Sequence, residues 1–281
     1  MLKSPEQNRE IEKRDLLALG KTEQEAKNTL QIKEALKKSE GDEVLVESGE
    51  LRIGSEALEK IKRDNKEDLL KIERYARLKQ EFNRQIDNFM KKGFPKLAGM
   101  DEEKFALIFE PLKEQLKELS GREFKEGRIP FVIVPREKLL SLEKKILLME
   151  DNGKRGFTEL DLSKFKTMEG IEIPESMAYL AVDIEDGTAM NAKSPDEAVK
   201  RFQKEDRSPL TAEEGVALVF QHPEILLGHL MHISGSRYDD DTKVALLSFD
   251  WMDGPKLSWD YSNHSSGAFW GSASCGSRVG V

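Results

Sequence analysis

The residue types with the widest chemical reach crowd one end of the chain. Its three tryptophans, four histidines and single cysteine all lie beyond residue 221. His229-Leu230-Met231-His232 is the one His-x-x-His spacing, and on a helix those two rings would share a face. Asp239, Asp240 and Asp241 follow soon after. A metal site needs three or four ligands in fixed geometry. Nothing in the spacing fixes a third, and consecutive aspartates near Gly235 and Ser236 read as a solvated loop, so no metal is expected.

Cys275 and His264 form a second candidate, because a nearby base activates a thiol as a nucleophile. The competing reading is that a lone cysteine is a small buried hydrophobe. Ser272-Ala273-Ser274-Cys275-Gly276 looks like a nucleophile elbow, but in such hydrolases the acid and the histidine follow the serine. None of the seven residues after Ser274 is His, Asp or Glu. A third constellation joins Gly235-Ser236-Arg237, the alternating Leu257, Trp259 and Tyr261, and the Gly/Ser-rich stretch around Trp270. Aromatic walls, a guanidinium and small residues are what a pocket for a polar or anionic group uses. The alternative is an aromatic mini-core in which Arg237 satisfies carbonyls. Neither a G-x-x-x-x-G-K-[ST] nor a G-x-G-x-x-G run follows the expected buried strands, so no nucleotide cofactor is expected.

The elements that must position these groups are uneven along the chain. Residues 1–79 carry one aromatic, Tyr75, and alternate lysine with glutamate. Ser4 to Lys38 is helical in pattern, with a capping box at Thr22-Glu23-Gln24-Glu25 and a thin stripe of Leu30, Ile32, Ala35 and Leu36. Residues 39–54, with Val44-Leu45-Val46, read as a linker or small hairpin. Ser55 opens a long helix whose Leu58, Ile61, Leu69, Ile72, Ala76, Phe82, Ile86 and Phe89 share one face. Gly93 suits the left-handed position after its last turn. This arm is either a coiled-coil or partner-binding helix, through which the chain could oligomerise, or a helix packed by one stripe on its own domain. Asn65 and Lys79 interrupt a heptad seam.

From residue 80 onward helices and strands mix without a βαβ period, which predicts an α+β domain with a mixed or antiparallel sheet and several flanking helices. Asp101 caps a helix, and Pro111 restarts one. Ile129–Val134 and Met177–Ile184 are expected buried strands, with Leu139–Met149 helical between them. Asp186-Gly187 is a favoured hairpin turn. Ser194-Pro195-Asp196-Glu197 and Thr211-Ala212-Glu213-Glu214 open two more helices. Thr242–Trp251 and Lys256–Tyr261 are the remaining expected strands.

A charged fraction of 35%, an apolar fraction of 38% and a net charge of -8 fit a chain whose core is concentrated in its later part. No run approaches the roughly 18 apolar residues of a membrane span. The first residues lack the apolar stretch of a secretion signal, and one cysteine excludes an internal disulfide. A cytoplasmic location and no membrane partner are therefore expected. Basic residues are interleaved with acidic ones, which disfavours nucleic acid as a partner.

From about Phe82 onward, the chain resembles a bacterial family, best represented in actinobacteria, known as domain of unknown function 5701. The likeness rests on Gly93-Phe94-Pro95-Lys96-Leu97-Ala98-Gly99, Pro130–Val134, Tyr179–Asp183 and Gly235-Ser236-Arg237. It extends to Pro255–Trp259 and Trp270–Ser274. Its most specific block runs from Arg207-Ser208-Pro209-Leu210 through Thr211–Leu218 to His222-Pro223-Glu224. Where the family commonly has a cysteine after Gly-Ser-Arg this chain has Tyr238, and near the Trp259 strand it has Asp260 or Tyr261. Residues 1–79 fall outside the likeness. The resemblance implies a fold unit and recurrent residues, Arg207 among them, and no reaction.

The expected function is a binding module for a polar small molecule or peptide, using Arg237, Trp259, His264, Trp270 and Arg207, with an unknown small molecule or protein as partner. The alternatives are an enzyme of unknown reaction built on Cys275 and His264, or an acid such as Asp250, and a structural or interaction module acting through the amino-terminal helices. No catalytic residue and no cofactor is assigned.

Overall fold

A computed structural model describes residues 5–38, 43–45, 52–264 and 267–281. The chain forms two compact units, Met1–Glu81 with Lys113–Glu123, and Phe82–Leu112 with Phe124–Val281. In the first, α1 (Pro5–Ala18) turns at Gly20, whose φ of 84° is left-handed, into α2 (Glu23–Lys38). The capping box forms: the Thr22 amide donates to Glu25 Oε2 at 2.8 Å, and the Glu25 amide donates to Thr22 Oγ1 at 3.3 Å. β1 (Glu43–Leu45) pairs antiparallel with β2 (Arg52–Gly54), so part of the expected linker is a hairpin. α3 (Ser55–Lys91) follows without a break. Leu16, Ala26, Leu30 and Ile72 make a buried cluster in this unit. Lys79, one of the residues that spoil a heptad, donates to buried Asp15 Oδ1 at 2.5 Å. The side chains of Ile32, Ala35, Leu36, Leu58, Ile61, Asn65 and Leu69 lie outside the described residues.

The second unit begins with the end of α3. Gly93, at φ 78°, leads into α4 (Phe94–Leu97), then α5 (Glu102–Leu107), capped by Asp101. α6 (Glu110–Leu119), with Pro111 in its first turn as proline tolerates, belongs to the first unit from Lys113 onward. Phe89, Phe94, Phe105, Phe109 and Phe220 pack as one aromatic cluster, with neighbouring centroids 4.6–6.4 Å apart. Such rings bury large apolar area for two torsions each.

Two sheets follow. β3 (Ile129–Pro135) leads to α7 (Leu142–Leu148), a small β4 (Glu150–Asp151) and β5 (Lys154–Arg155) hairpin, β6 (Phe165–Thr167) and β7 (Ala178–Ile184). α7 is shorter than Leu139–Met149 because Ser141 caps it, accepting from the Lys144 amide. α8 (Pro195–Lys204), β8 (Ser208–Pro209) and α9 (Ala212–Gln221) come next, both helices with complete capping boxes. The chain closes with β9 (Leu230–Tyr238), β10 (Asp240–Asp250), β11 (Gly254–Tyr261), β12 (Trp270–Ser272), β13 (Ser274–Cys275) and β14 (Ser277–Val279). One sheet is ordered β14-β7-β3 and antiparallel; the other is β11-β10-β9-β12, with β6 also on β9. Gln85 of α3 covers the edge of β3, donating to Phe131 O and accepting from the Ile133 amide, which replaces a missing neighbour strand.

These elements are α+β, as expected, with two local corrections. His229–His232 does not lie on a helix: Leu230–Tyr238 is the strand at the heart of the larger sheet. Its alternation has Met231 and Ile233 on one face and His232 and Ser234 on the other. Asp186-Gly187 is not a hairpin turn, since it leads into a short 3-10 turn, Thr188–Met190. The Gly/Ser-rich tail is a stitch, with β12 on β9, β13 on β8 and β14 on β7. Small residues are required there because Gly271 passes directly over the Gly187 carbonyl, where any Cβ would collide. No described helix is long and apolar enough to cross a membrane.

Candidate functional site: a charged cleft at Arg207

Strand β7 runs apolar and buried as far as Val182, then changes character. Asp183 has φ 56°, rare for a residue with a side chain, and strain of this kind gathers at functional sites. The tail makes the conformation possible. Gly276 donates to Val182 O at 2.8 Å, and a Cβ at position 276 would stand 3.1 Å from Asp183 Oδ2. Two residues on, Glu185 and Ser274 exchange backbone hydrogen bonds of 2.9 and 3.0 Å.

Arg207, just after α8, knits these strands together. Its Nε donates to Ser274 Oγ (2.9 Å), Nη1 to Asp183 Oδ2 (2.6 Å), and Nη2 to both Asp183 O (2.6 Å) and Ser274 O (3.1 Å). Its side chain is only 6% exposed. Arg128 adds a second guanidinium to the same Oδ2 at 2.5 Å. One carboxylate oxygen thus serves two cations, while Asp183 Oδ1 is buried with no partner.

These groups wall a cleft of about 510 Å³, whose lining also includes Lys125, Glu185, Arg201, Phe202, Glu205 and Asp206. Glu185 is 8% exposed. Its Oε1 accepts from the Ala189 amide at 2.8 Å and from Thr188 Oγ1 at 3.3 Å, and Oε2 has no partner. Burial pushes its carboxyl above the usual range. Glu205 is held below it by the hydrogen bond from Arg201 Nε at 2.7 Å. Among the described residues Lys125 makes no side-chain hydrogen bond, and Arg128 makes only the one to Asp183. The cleft therefore offers unused donors at its rim, and two unpartnered carboxylate oxygens lie buried behind its wall.

The residues singled out in sequence do not form one pocket. Arg207 lies in the cleft. Arg237 has Nη2 3.6 Å from the Met168 sulfur and a buried Nη1 without a partner. Trp259 stacks on Tyr238 at 6.5 Å, with Lys243 over its ring. Since Tyr238 and Arg237 are consecutive on β9, they face opposite ways, so Arg237 and Trp259 are on different sides of the sheet. His264 and Trp270 do meet, with ring centroids 5.6 Å apart. They meet around Asp260, whose neighbour Trp259 again points the other way.

That second cluster has its own geometry. Asp260 accepts from His232 Nε2 at 3.0 Å and is 2.9 Å from His264 Nδ1. Burial pulls the Asp260 carboxyl upward, but both histidines and the Tyr261 amide outweigh it, so it is held low. Burial lowers the His232 ring, and its Nδ1 has no partner. His229 turns to Asp186 O at 3.1 Å, so the His-x-x-His pair is divided between different partners. Among the described residues no group of three metal-binding side chains forms.

Cys275 is fully buried, and burial, with Glu214 behind it, pushes its thiol up to about 12. Its electrostatic neighbours are Glu214, Arg278, Arg207 and Asp183, not His264. The thiolate pair expected as an alternative is therefore absent: β13 carries the cysteine inward while His264 turns to Asp260.

Sequence reasoning found Arg207 and missed Asp183, Glu185 and Arg128. The available signal was two carboxylates at i and i+2 closing an otherwise apolar strand, which puts both on one face of regular β structure. Neither the curated proteins nor the solved structures contain a match to this chain. The model of the family of unknown function DUF5701 matches residues 88–281, a span holding every residue of the cleft and of the Asp260 cluster. By that match the chain belongs to the DUF5701 family.

Proposed function

We propose that this chain is a binding module for a small polar molecule or peptide, and that the cleft beside Arg207 is where the ligand docks. One observation carries the reading: a cleft of about 510 Å³ in which Arg128, Asp183, Glu185 and Arg207 are pre-set by part-buried hydrogen bonds and Asp183 and Glu185 are still incompletely paired. Pre-organised polar groups give binding sites their specificity, since little ordering cost is left for the ligand to meet. The Trp259 surface is the weaker site on the same reasoning, because its ring is already covered by Tyr238 and Lys243. In this reading the helical arm adds a partner contact.

Native mass spectrometry of the full chain, purified gently, tests the reading. A small retained mass should vanish in Lys125→Ala/Arg201→Ala, two rim substitutions that touch no buried hydrogen bond, and should persist in Trp259→Ala. Retention unchanged by the rim substitutions, or lost only with Trp259, would overturn it.

A second reading, as an enzyme, is favoured by the Asp260–His264 pair. A carboxylate on Nδ1 fixes the tautomer in which Nε2 is the bare base, and the His264 side chain is 49% exposed. Hydrolysis of p-nitrophenyl acetate by the wild type and by His264→Asn is the cheap check. Equal rates would remove the base.

A further inference from the structure

Resting on the cleft reading, we infer that the ligand is a small zwitterion of the α-amino-acid type, its ammonium taken by Glu185, whose unpartnered oxygen turns into the cleft, and its carboxylate by Arg128, Lys125 and Arg201. The wall supplies the first half. Glu185 is more than nine-tenths buried, lines the cleft and has one carboxylate oxygen without a donor; Asp183 has another, and both oxygens lie beneath the cleft surface. An unsatisfied buried acceptor is costly, and a carboxylate more so than a neutral group. An arriving ammonium supplies several donors and a compensating charge at once. The terminal torsion of glutamate is soft, so Oε2 can turn to meet it.

The rim supplies the second half. Arg128 spends one nitrogen on Asp183, Arg201 one on Glu205, and Lys125 none. Their remaining N–H groups suit a carboxylate, which a guanidinium can grip at two points. A simple anion would leave the wall oxygens unmet, and a simple cation would face the rim charges. A dipolar ligand satisfies both ends. A metal ion is the poorer occupant, because no group of three suitable ligands gathers among the described residues.

Isothermal titration of the full chain with L-serine, L-leucine, L-glutamate and L-lysine, each beside its N-acetyl and its amide derivative, tests this. At least one parent amino acid should bind, and both blocked forms should bind about tenfold or more weakly, as expected for a lost charged contact. Glu185→Gln should weaken the parent while leaving the N-acetyl form unchanged. Lys125→Ala/Arg201→Ala should do the converse, sparing the amide. Cooperative urea unfolding verifies that each variant is folded. If an N-acetyl form binds as tightly as its parent, the zwitterion is overturned and the cleft remains an anion site. If no parent binds, the zwitterion is likewise overturned, and retention of a native ligand by the rim variant then decides the cleft reading separately.

Discussion

Two carboxylate–guanidinium sites flank Cys275, and they differ in how completely their hydrogen bonds are filled. At Glu214 every valence is filled. Arg278 grips it through Nε at 2.6 Å and Nη2 at 2.8 Å, the Tyr179 hydroxyl donates at 2.8 Å, and the Thr211 amide at 2.8 Å. Glu214 is fully buried. At Asp183 two guanidiniums crowd one oxygen, the other has none, and neighbouring Glu185 repeats the shortfall beside an open cleft. A saturated buried ion site fastens the tail to β8 and α9. An unsaturated site beside a cleft is, on the proposed reading, where a ligand docks.

Substitutions can break or sharpen this contrast. Glu214→Ala should have the largest effect, costing about 3–5 kcal/mol in urea unfolding, because it strands the buried Arg278 charge. Arg207→Lys should cost less, about 2 kcal/mol, since it keeps the charge but cannot reproduce a fork that reaches Ser274 and Asp183 together. A loss as large as that of Glu214→Ala would mean the cleft is equally architectural. Glu185→Gln should act in the opposite direction and least, stabilising the neutral-pH fold by roughly 1 kcal/mol. The sign follows from its raised carboxyl. Between the ordinary value of 4.5 and the higher folded value the native state binds more protons than the unfolded one, so stability falls as pH rises through that window. The glutamine variant should flatten that slope in unfolding curves taken across pH 4 to 7, as expected for removing one titrating carboxyl, and an unchanged slope would mean Glu185 titrates normally.

Legibility was uneven along the chain for physical reasons. β3 and β7 stood out because their buried runs are apolar on both faces, and α8 and α9 because their capping boxes are local. β9 did not, because it carries His232 and Ser234 on one face and, beyond an irregularity in its pairing with β10, Ser236 on the other, all in the interior, where sheet partners and hydrogen bonds offset their polarity. The tail misled in the opposite sense. Its glycines and serines suggest a pliable loop, yet Ser272, Ala273, Ser274 and Cys275 are fully buried, since only small residues fit where strands pass in contact.

The capped helix starts of α8 and α9, the apolar strands β3 and β7, the α+β class and the family itself were settled by sequence, because caps, periodicity and motif order are short-range properties. Which charges meet was not. Arg128, Asp183, Arg207 and Ser274 are far apart along the chain and become neighbours only when the tail crosses β7 and β8. The same crossing buries Cys275 and leaves Glu185 short of a donor. Such pairings depend on long-range strand register, which no local pattern encodes.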